Sequence, residues 1–395
     1  MTLTQTCTEV FCHRHVARQP GQLDWQLRHY ICMADVRAWY HLTLPGTRSF
    51  KAFNLPPPKD PLLLWPNEWF PSVDIEPWCK ALSWEDVPAF HGNMKEEVGF
   101  EQCTVNYAFN YCFDQIPTRE DKEARLLFDV RDNQRGESDF LAKQCYFFSV
   151  LQFVHRYPRK REMQDVFGFS SWTFNHFTKP TLYNTARHVN FADWNLRLWD
   201  SNHTPHFIER VLTSFDGFPV SVCGSSNKWV RRLCKSKKYQ DFVLKADLGI
   251  AIGSGHIVNY AGPQLGVRND HRMWMDNRKR RRMLYPWEYA LGDKMYDGCP
   301  EFLTEFKDYG ALTPDMIAWN DMLQFYRGRN EHQVSFIKNG RAALDTRWRG
   351  SYLGLCAVLR LVVHMCALEE RMLGPRYDVF GSWPVCPDHI ARRYA

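Results

Sequence analysis

The chain has 395 residues, 45% hydrophobic and 24% charged, so it is long enough for two or three domains and its composition excludes a disordered or fibrous protein. The net charge of +6, from 50 basic and 44 acidic residues, by itself excludes no class of partner. The 13 cysteines include no Cys-x-x-Cys pair, and the polar start lacks the apolar segment of a secretory signal. We therefore expect free thiols in a reducing compartment.

The first 135 residues form an N-terminal region to which we assign no role. Its Pro-rich stretches are typical of loops. Cys7, Cys12, His13 and His15 have the side chains of a zinc site, but no second pair at finger spacing follows them.

Residues 136–204 carry a helical pattern. Apolar residues recur at helical spacing over 140–155, and Pro158 ends this helix. A short helix over 161–167, a turn at Gly168 and a further helix from Trp172 make a helix-turn-helix pattern. An ordinary helical hairpin fits the same pattern.

Strands are predicted next. Residues 210–222 are β-rich, 241–247 and 250–261 form a hairpin with turns near 247–249 and 254–255, and 289–293 form a short strand. A long helix follows, capped by Thr313, begun by Pro314 and ended by Gly340. This order predicts an α/β fold with a mixed sheet flanked by helices.

Residues 346–395 form a predicted C-terminal helical extension. The apolar stretch 353–368 contains Arg360 and His364, so we interpret it as a buried helix and expect no membrane contact.

Three acidic residues stand at informative places. Asp216 lies in an apolar strand, Asp270 follows a glycine-bearing loop after a strand, and Glu331 lies on the long helix. A carboxylate in a core strand is costly unless it is paired or metal-bound. Phosphodiester cleavage by two divalent cations needs such carboxylates, with Asp216 bridging both cations and the other two acids holding one each. Taken singly, each acid also fits a cap, turn or surface carboxylate, as we interpret Asp247 and Asp276.

Basic residues cluster in three places, which indicates either phosphate contacts or solvated charged faces. The clusters are Arg156, Arg159, Lys160 and Arg161; Lys228, Arg231, Arg232, Lys235, Lys237 and Lys238; and Arg268, Arg272 and the run Arg278, Lys279, Arg280, Arg281 and Arg282. The last run also fits a nuclear localisation signal or a plain solvated loop.

Five short segments, in order over about residues 205–340, resemble the catalytic domain of Harbinger-type DDE transposases. Residues 215–220 resemble that family's Asp-Gly-Thr segment, and 239–246 its Lys-Tyr stretch before the second strand. Residues 262–270 resemble its Gly-Ser-x-His-Asp loop, and 291–298 its Gly-Asp-x-Gly-Tyr segment. Arg327, Glu331 and Lys338 match the Arg-x3-Glu-x6-Lys spacing of related bacterial insertion-sequence transposases.

The resemblance implies an RNase H-like nuclease domain over 205–345, preceded by a helix-turn-helix-like region. It implies a DNA endonuclease and strand transferase with Asp216, Asp270 and Glu331 catalytic, a Mg²⁺ or Mn²⁺ cofactor, and Asp293 as a fourth metal-binding acid. Asp293 also fits a turn acid that closes a strand.

The same resemblance implies DNA as substrate, a nuclear location, a Myb-like DNA-binding partner protein and a homo-oligomer. Arg327 and Lys338 share a helix face with Glu331 and are expected to contact DNA phosphates, although Arg327 and Glu331 also fit an ordinary ion pair. Further expected DNA contacts are Lys237, Lys238, Arg280 and Arg281.

The sequence departs from the family pattern at Arg268 and Asn269, which replace a small residue and a histidine, and at Met295, which replaces a glycine. The tyrosine of the helix signature is also displaced: Tyr326 carries it here, and Gln324 stands in its usual place. These departures favour the alternative of a domesticated, catalytically inactive DNA- or chromatin-binding protein on the same fold.

Overall fold

The computed structural model describes residues 82–87, 90–116, 135–159, 162, 165, 174–194, 196–199, 211–277, 281, 283–285, 288–307, 310 and 312–373. Its helices before the sheet are α1 (Met94–Val98), α2 (Gln102–Cys112), α3 (Arg135–Arg156), α4 (Lys179–His188) and α5 (Leu196–Trp199). The strands are β1 (Val211–Ser221), β2 (Val243–Ala251), β3 (Ile257–Leu265), β4 (Tyr289–Leu291) and β5 (Phe302–Leu303). The remaining helices are α6 (Lys228–Cys234), α7 (Asp270–Asp276), α8 (Pro314–Lys338), α9 (Ala342–Asp345) and α10 (Tyr352–Leu373).

The described strands form one five-stranded sheet in the order β3-β2-β1-β4-β5. Strand β1 pairs antiparallel with β2, which pairs antiparallel with β3. On its other side β1 pairs parallel with β4, and β4 pairs parallel with β5. The predicted mixed sheet flanked by helices is therefore confirmed, and β1 lies within the predicted range 210–222.

Local signals set the ends of two long helices as predicted. Helix α3 ends at Arg156, two residues before Pro158. Helix α8 begins with Pro314, and the side chain of its N-cap Thr313 accepts a hydrogen bond from the Met316 amide at 3.3 Å. Helix α3 ends because Pro158 has no N–H and its ring blocks a further turn. Helix α8 begins where the Thr313 side chain bonds to an amide that has no partner inside the helix.

The first predicted turn of the hairpin is wrong. Strand β2 runs without a break through residues 247–249, and the chain turns only after Ala251. Gly249 serves packing here, because a Cβ at this position would lie 2.6 Å from Cε1 of Phe215. The interpretation of Asp247 as a turn or surface acid is wrong for the same reason, since Asp247 is 1% exposed and lies opposite Gly217 in the β-ladder.

The two faces of β1 pack against different helices. Phe218 and Val220 join a large hydrophobic cluster that includes residues of α3, α4 and α10. Phe215 lies on the opposite face, against Trp274 of α7 and Phe302 of β5. The large cluster draws on all four predicted regions, 1–135, 136–204, 205–345 and 346–395, and these boundaries stay predictions.

Helix α10 is long and apolar enough to cross a membrane, but 78% of its most apolar window is buried within the protein. The prediction of a buried helix over 353–368 is therefore confirmed. His364 on this helix is 4% exposed, and its Nδ1 accepts hydrogen bonds from the amides of Phe191 and Ala192 at 3.1 and 3.0 Å. These bonds hold the segment that follows α4 against α10.

His364 is expected to make the protein sensitive to mild acid. Burial, followed by the charge of Arg360, lowers the pKa of His364 to about 3. Because the unfolded state takes up a proton near pH 6.5 and the folded state does not, the stabilisation is complete above pH 6.5 and is lost as the pH falls towards 3. We expect a loss of about 2 kcal/mol between pH 7 and pH 5. In urea titrations His364→Asn, which keeps an acceptor near Nδ1, should lack this part of the pH dependence; an unchanged profile would contradict it.

Several predictions lie outside the described residues. They are the zinc ligands Cys7, Cys12, His13 and His15, most of the helix-turn-helix pattern, and Arg280 with most of its basic run.

Candidate acidic site on the sheet

The site begins in the middle of β1, where Asp216 precedes Gly217. Asp216 is partly buried and lies opposite Leu248 of β2. Gly217 leaves room for a second acid, because a Cβ at this position would lie 2.8 Å from Oδ1 of Asp270. The Asp-Gly pair thus has a structural reason: Asp216 carries a carboxylate, and Gly217 leaves space for the carboxylate of Asp270, which is distant in the chain.

Asp270 is the first residue of α7, and the N-cap Asn269 accepts a hydrogen bond from the Arg272 amide at 3.0 Å. Asp270 is 4% exposed, and its Oδ1 has no hydrogen-bond partner among the described residues. The ammonium of Lys245 lies 3.8 Å from this oxygen, which is an ion-pair distance but too long for a hydrogen bond. A buried carboxylate oxygen without a donor is costly unless a further ligand binds it.

Asp293 follows the end of β4. Because β4 runs parallel to β1, with Leu291 opposite Ser214, the residues after β4 lie beside Asp216. One oxygen of Asp293 accepts the Met295 amide at 2.8 Å, at the start of a 3-10 turn. The turn-acid interpretation of Asp293 therefore holds for that oxygen, and it leaves the other oxygen for a different role.

The four acids repel one another. Burial raises the pKa of Asp216 to about 7; the guanidinium of Arg327 opposes this shift, and the charges of Asp293, Asp270 and Asp247 add to it. Burial also raises the pKa of Asp270, with Lys245 opposing and Asp293 adding. Two groups thus hold protons more tightly than exposed carboxylates do, as expected where negative charge is gathered with too little positive charge nearby.

Lysine side chains border the acids on the β2 side. Burial works against the charge on Lys238, but Tyr239, Asp293, Asp270 and Asp216 outweigh it and raise the pKa of this ammonium. The Tyr239 ring lies between two ammonium groups, 5.5 Å from that of Lys238 and 6.0 Å from that of Lys245. Lys238 is thus close enough to the acids to feel their charge, and its expected DNA contact stays a prediction. Lys237 is exposed one residue before it.

Helix α8 covers the site from the other side. Arg327 is close enough to lower the pKa of Asp216, but its guanidinium pairs with Glu305 and not with Glu331. The interpretation of Arg327 and Glu331 as an ion pair within the helix is therefore not what the structure contains. Lys338 is half-buried, with its ammonium 6.0 Å from the Phe218 ring of β1.

Glu331 is exposed and lies on the helix stripe between Arg327 and Lys338. Both ends of that stripe reach β1 within two residues of each other, at Asp216 and Phe218. Within the described chain, no three His, Cys, Asp or Glu side chains are grouped closely enough to hold a metal ion as they stand. The catalytic roles of Asp216, Asp270 and Glu331, and the metal role of Asp293, stay predictions.

Two basic residues from the sequence patterns have structural partners. Arg281 bonds to Glu301 at 2.9 and 3.1 Å, and Glu301 is 3% exposed. Arg268, which replaces a small residue of the family pattern, pairs with Asp276 at 2.6 Å on the surface, so the interpretation of Asp276 as a surface acid is confirmed. The expected DNA contact of Arg281 stays a prediction.

Sequence reasoning missed Lys245, Asp247, Tyr296 and Glu305. Lys245 and Asp247 lie on one face of a strand that is otherwise apolar, and this alternation was the available signal. The hydroxyl of Tyr296 bonds to Asp247 at 3.2 Å across the sheet. Glu305 carried no local signal, since its partner Arg327 is 22 residues away.

No protein-family model, curated protein or solved structure matches this chain.

Proposed function

We propose that the chain is a divalent-metal-dependent DNA endonuclease and strand transferase of the Harbinger type, acting through the acids around Asp216. One observation carries the proposal. Asp216, Asp270 and Asp293 come from a central strand, a helix start and the end of a parallel strand, and the charges of Asp293 and Asp270 both raise the pKa of Asp216. The Oδ1 of Asp270 has no hydrogen-bond donor among the described residues. Stability alone gives no reason to gather these charges, whereas a bound cation would offset the repulsion.

The sheet supports an RNase H-like fold for this domain. Three antiparallel strands followed in the sheet by two parallel ones, in the order β3-β2-β1-β4-β5, is the arrangement of that fold. In this arrangement the middle of β1 and the end of β4 are neighbours, and the helix after β5 passes over them. In this chain Asp216 lies in the middle of β1, Asp293 follows the end of β4 and α8 follows β5, which supports the proposal.

The residues fit a hard divalent cation such as Mg²⁺ or Mn²⁺, which prefers carboxylate oxygens. Asp216 and Asp270 would hold it, Asp293 would contribute its second oxygen, and Glu331 would join from the exposed stripe of α8 by a change of rotamer. When bound, such a cation supplies Lewis acidity to a phosphodiester and lowers the pKa of water. Lys238 would hold the phosphate beside the acids, and Lys245 would offset the charge of Asp270. Arg327 would favour the ionised form of Asp216, which is the form that binds a cation.

The chain's own ability to cut DNA tests the proposal. Supercoiled plasmid is incubated with the purified protein in Mg²⁺, in Mn²⁺ and in EDTA, with Asp276→Asn as a matched surface variant. We expect nicking by both proteins in either cation and none in EDTA. Nicking that persists in EDTA, or that Asp276→Asn abolishes, would contradict the assignment.

A second candidate function is a catalytically inactive DNA- or chromatin-binding protein on the same fold. The exposure of Glu331 and the absence, in the described part of the chain, of a ready group of three metal ligands favour it. This second function predicts that the wild-type protein binds DNA, binds neither Mn²⁺ nor Mg²⁺, and does not cleave DNA in either cation.

Gly217→Ala tests whether the position of Asp270 matters to the site. The added methyl group would approach Asp270 Oδ1 to 2.8 Å and displace it, so we expect Mn²⁺ affinity and nicking to fall about 10- to 100-fold. Gly328→Ala on α8 is the matched control, because a Cβ there meets nothing within 4 Å. Calorimetric titration with Mn²⁺ measures the affinity of both variants. Equal affinities would contradict a role for the position of Asp270 in metal binding.

A further inference from the structure

The connection between β1 and β2 is strongly basic. Residues 222–240 contain no Asp or Glu and six basic residues, Lys228, Arg231, Arg232, Lys235, Lys237 and Lys238. Those on α6 and just after it are exposed or partly exposed. A dense group of cations without intervening acids favours a polyanion as partner, because each neutralised phosphate releases a counterion.

The same segment presents an exposed indole. Trp229, in the first turn of α6, is 68% exposed, the largest exposure of any large hydrophobic side chain in the described residues. Val230 beside it is 39% exposed. The helix start is fixed by Asn227, whose side chain accepts hydrogen bonds from the amides of both residues. An exposed tryptophan on a capped helix indicates a binding surface, and its flat ring favours a flat ligand.

This surface adjoins the acidic site through the backbone. The carbonyl of Leu233 in α6 accepts a hydrogen bond from the Val267 amide at 3.1 Å, three residues before Asp270. Gly266 fits tightly there, since a Cβ at this position would lie 2.4 Å from the Cys234 carbonyl oxygen. Val267 itself is 50% exposed. The end of α6 and the loop that carries Asp270 are therefore one continuous surface.

We propose that Trp229 and the surrounding cations bind single-stranded nucleic acid, with an unpaired base stacked on the indole and the strand directed towards Lys238 and the acids. Within a duplex both faces of each base are already covered by neighbouring bases, so an exposed indole gains no stacking partner there. An unpaired base has a free face, and stacking on an aromatic side chain tolerates any base. Cations supply the phosphate contacts, and Trp229 selects for an open strand.

The inference rests on the proposed nuclease function only for the direction of the strand, and it names the substrate form, a DNA strand that is locally unpaired beside the cleavage site. Binding is therefore measured in EDTA, where no cleavage occurs. Loss of the stacking contact and loss of the metal site then give separate results.

The experiment compares the affinities of the full chain for a fluorescent single-stranded oligothymidine and for a duplex of equal length, in EDTA at about 0.1 M salt. We expect Trp229→Ala to weaken single-strand binding roughly 5- to 150-fold and duplex binding less than about 3-fold. Trp229→Phe keeps a flat ring and should stay near wild type. Phe325→Ala, which removes an exposed ring from α8, should match wild type on both probes.

Arg232→Ala separates charge from stacking, because it should weaken both probes alike and lower the salt dependence of binding. Unchanged single-strand affinity in Trp229→Ala, an equal loss on both probes, or a loss in Trp229→Phe as large as in the alanine variant would overturn the proposal. An indole that contacts a protein partner instead would give the first of these results. On a substrate with an unpaired tract, nicking by Trp229→Ala should fall together with its single-strand affinity only if the protein is a nuclease and Trp229 binds its substrate.

Discussion

Asp216→Asn is expected to abolish cation-dependent nicking while making the metal-free protein more stable. Loss of the carboxylate shared by the cations should lower the cleavage rate roughly 10³-fold, since a metal-bound carboxylate site supplies several kcal/mol. The opposite sign in stability follows from burial, which, together with Asp293, Asp270 and Asp247, raises the pKa of Asp216 to about 7.

In the metal-free protein, the effect of Asp216 on stability depends on pH. The unfolded state releases the Asp216 proton near pH 4, whereas the folded state holds it to about pH 7, so the folded state loses stability as the pH rises through this interval. At pH 8 the asparagine variant avoids this cost, about 4 kcal/mol, and should melt at a higher temperature. Near pH 4 the difference should vanish.

Adding Mn²⁺ should reverse the order of stability. If the proposed site binds the cation, wild type should gain stability from binding in its folded state and Asp216→Asn should not. Asp276→Asn is the matched control, because Asp276 is exposed at the end of α7 and its ion-pair partner in the part of the chain that the structure describes is surface Arg268. Melting curves at pH 8 with EDTA and with Mn²⁺ make the comparison, and equal responses of wild type and Asp216→Asn would rule out Asp216 as a ligand.

Glu288→Ala is expected to cost about 3–5 kcal/mol of stability, because it leaves a buried guanidinium without its partner. Arg197 and Glu288 are 2% and 3% exposed and are joined by two hydrogen bonds of 2.8 and 3.0 Å. Arg197 also bonds to the carbonyl of Trp194 and lies 4.1 Å from that ring. The pair thus ties α5 to the residue directly before β4.

Glu288→Ala is also expected to affect the proposed metal site. Strand β4 carries Asp293 two residues beyond its end, so a loosened β4 is expected to weaken Mn²⁺ binding along with stability. Urea denaturation at pH 7 measures the loss. The double variant Arg197→Met with Glu288→Leu should recover most of it, because well-packed apolar side chains replace a buried ion pair at little cost. A loss below about 1 kcal/mol in Glu288→Ala would contradict the account.

Features with local causes were predictable from the sequence. The strand around Asp216 and the capped start of α8 follow from apolar patterns and from Thr313 and Pro314, and both were predicted correctly. The end of α3 before Pro158 belongs to the same class. In each case the sequence signal lies within a few residues of the feature. The prediction therefore does not depend on which other segments pack against it.

Features with distant causes were not predictable. The sequence predicts a turn near residues 247–249, yet Gly249 is required in the middle of β2, where the Phe215 ring packs against it. Asp247 is predicted to be a turn or surface acid, and the hydroxyl that stabilises its burial comes from Tyr296, 49 residues away. An ion pair with Glu331, one turn along the helix, is the alternative that the sequence offers for Arg327, but Arg327 pairs with Glu305 from the loop after β5.

The central claim is that the acids around Asp216 form a divalent-cation site, and anomalous diffraction from crystals soaked in Mn²⁺ tests it most directly. We expect a peak in direct contact with Asp216 and with the Oδ1 of Asp270, the buried oxygen that has no donor among the described residues. Asp293, and Glu331 after a change of rotamer, would complete the site. The peak should be absent from crystals of Asp216→Asn. Full Mn²⁺ binding in solution with no peak at these carboxylates, or a peak that Asp216→Asn leaves unchanged, would contradict the account.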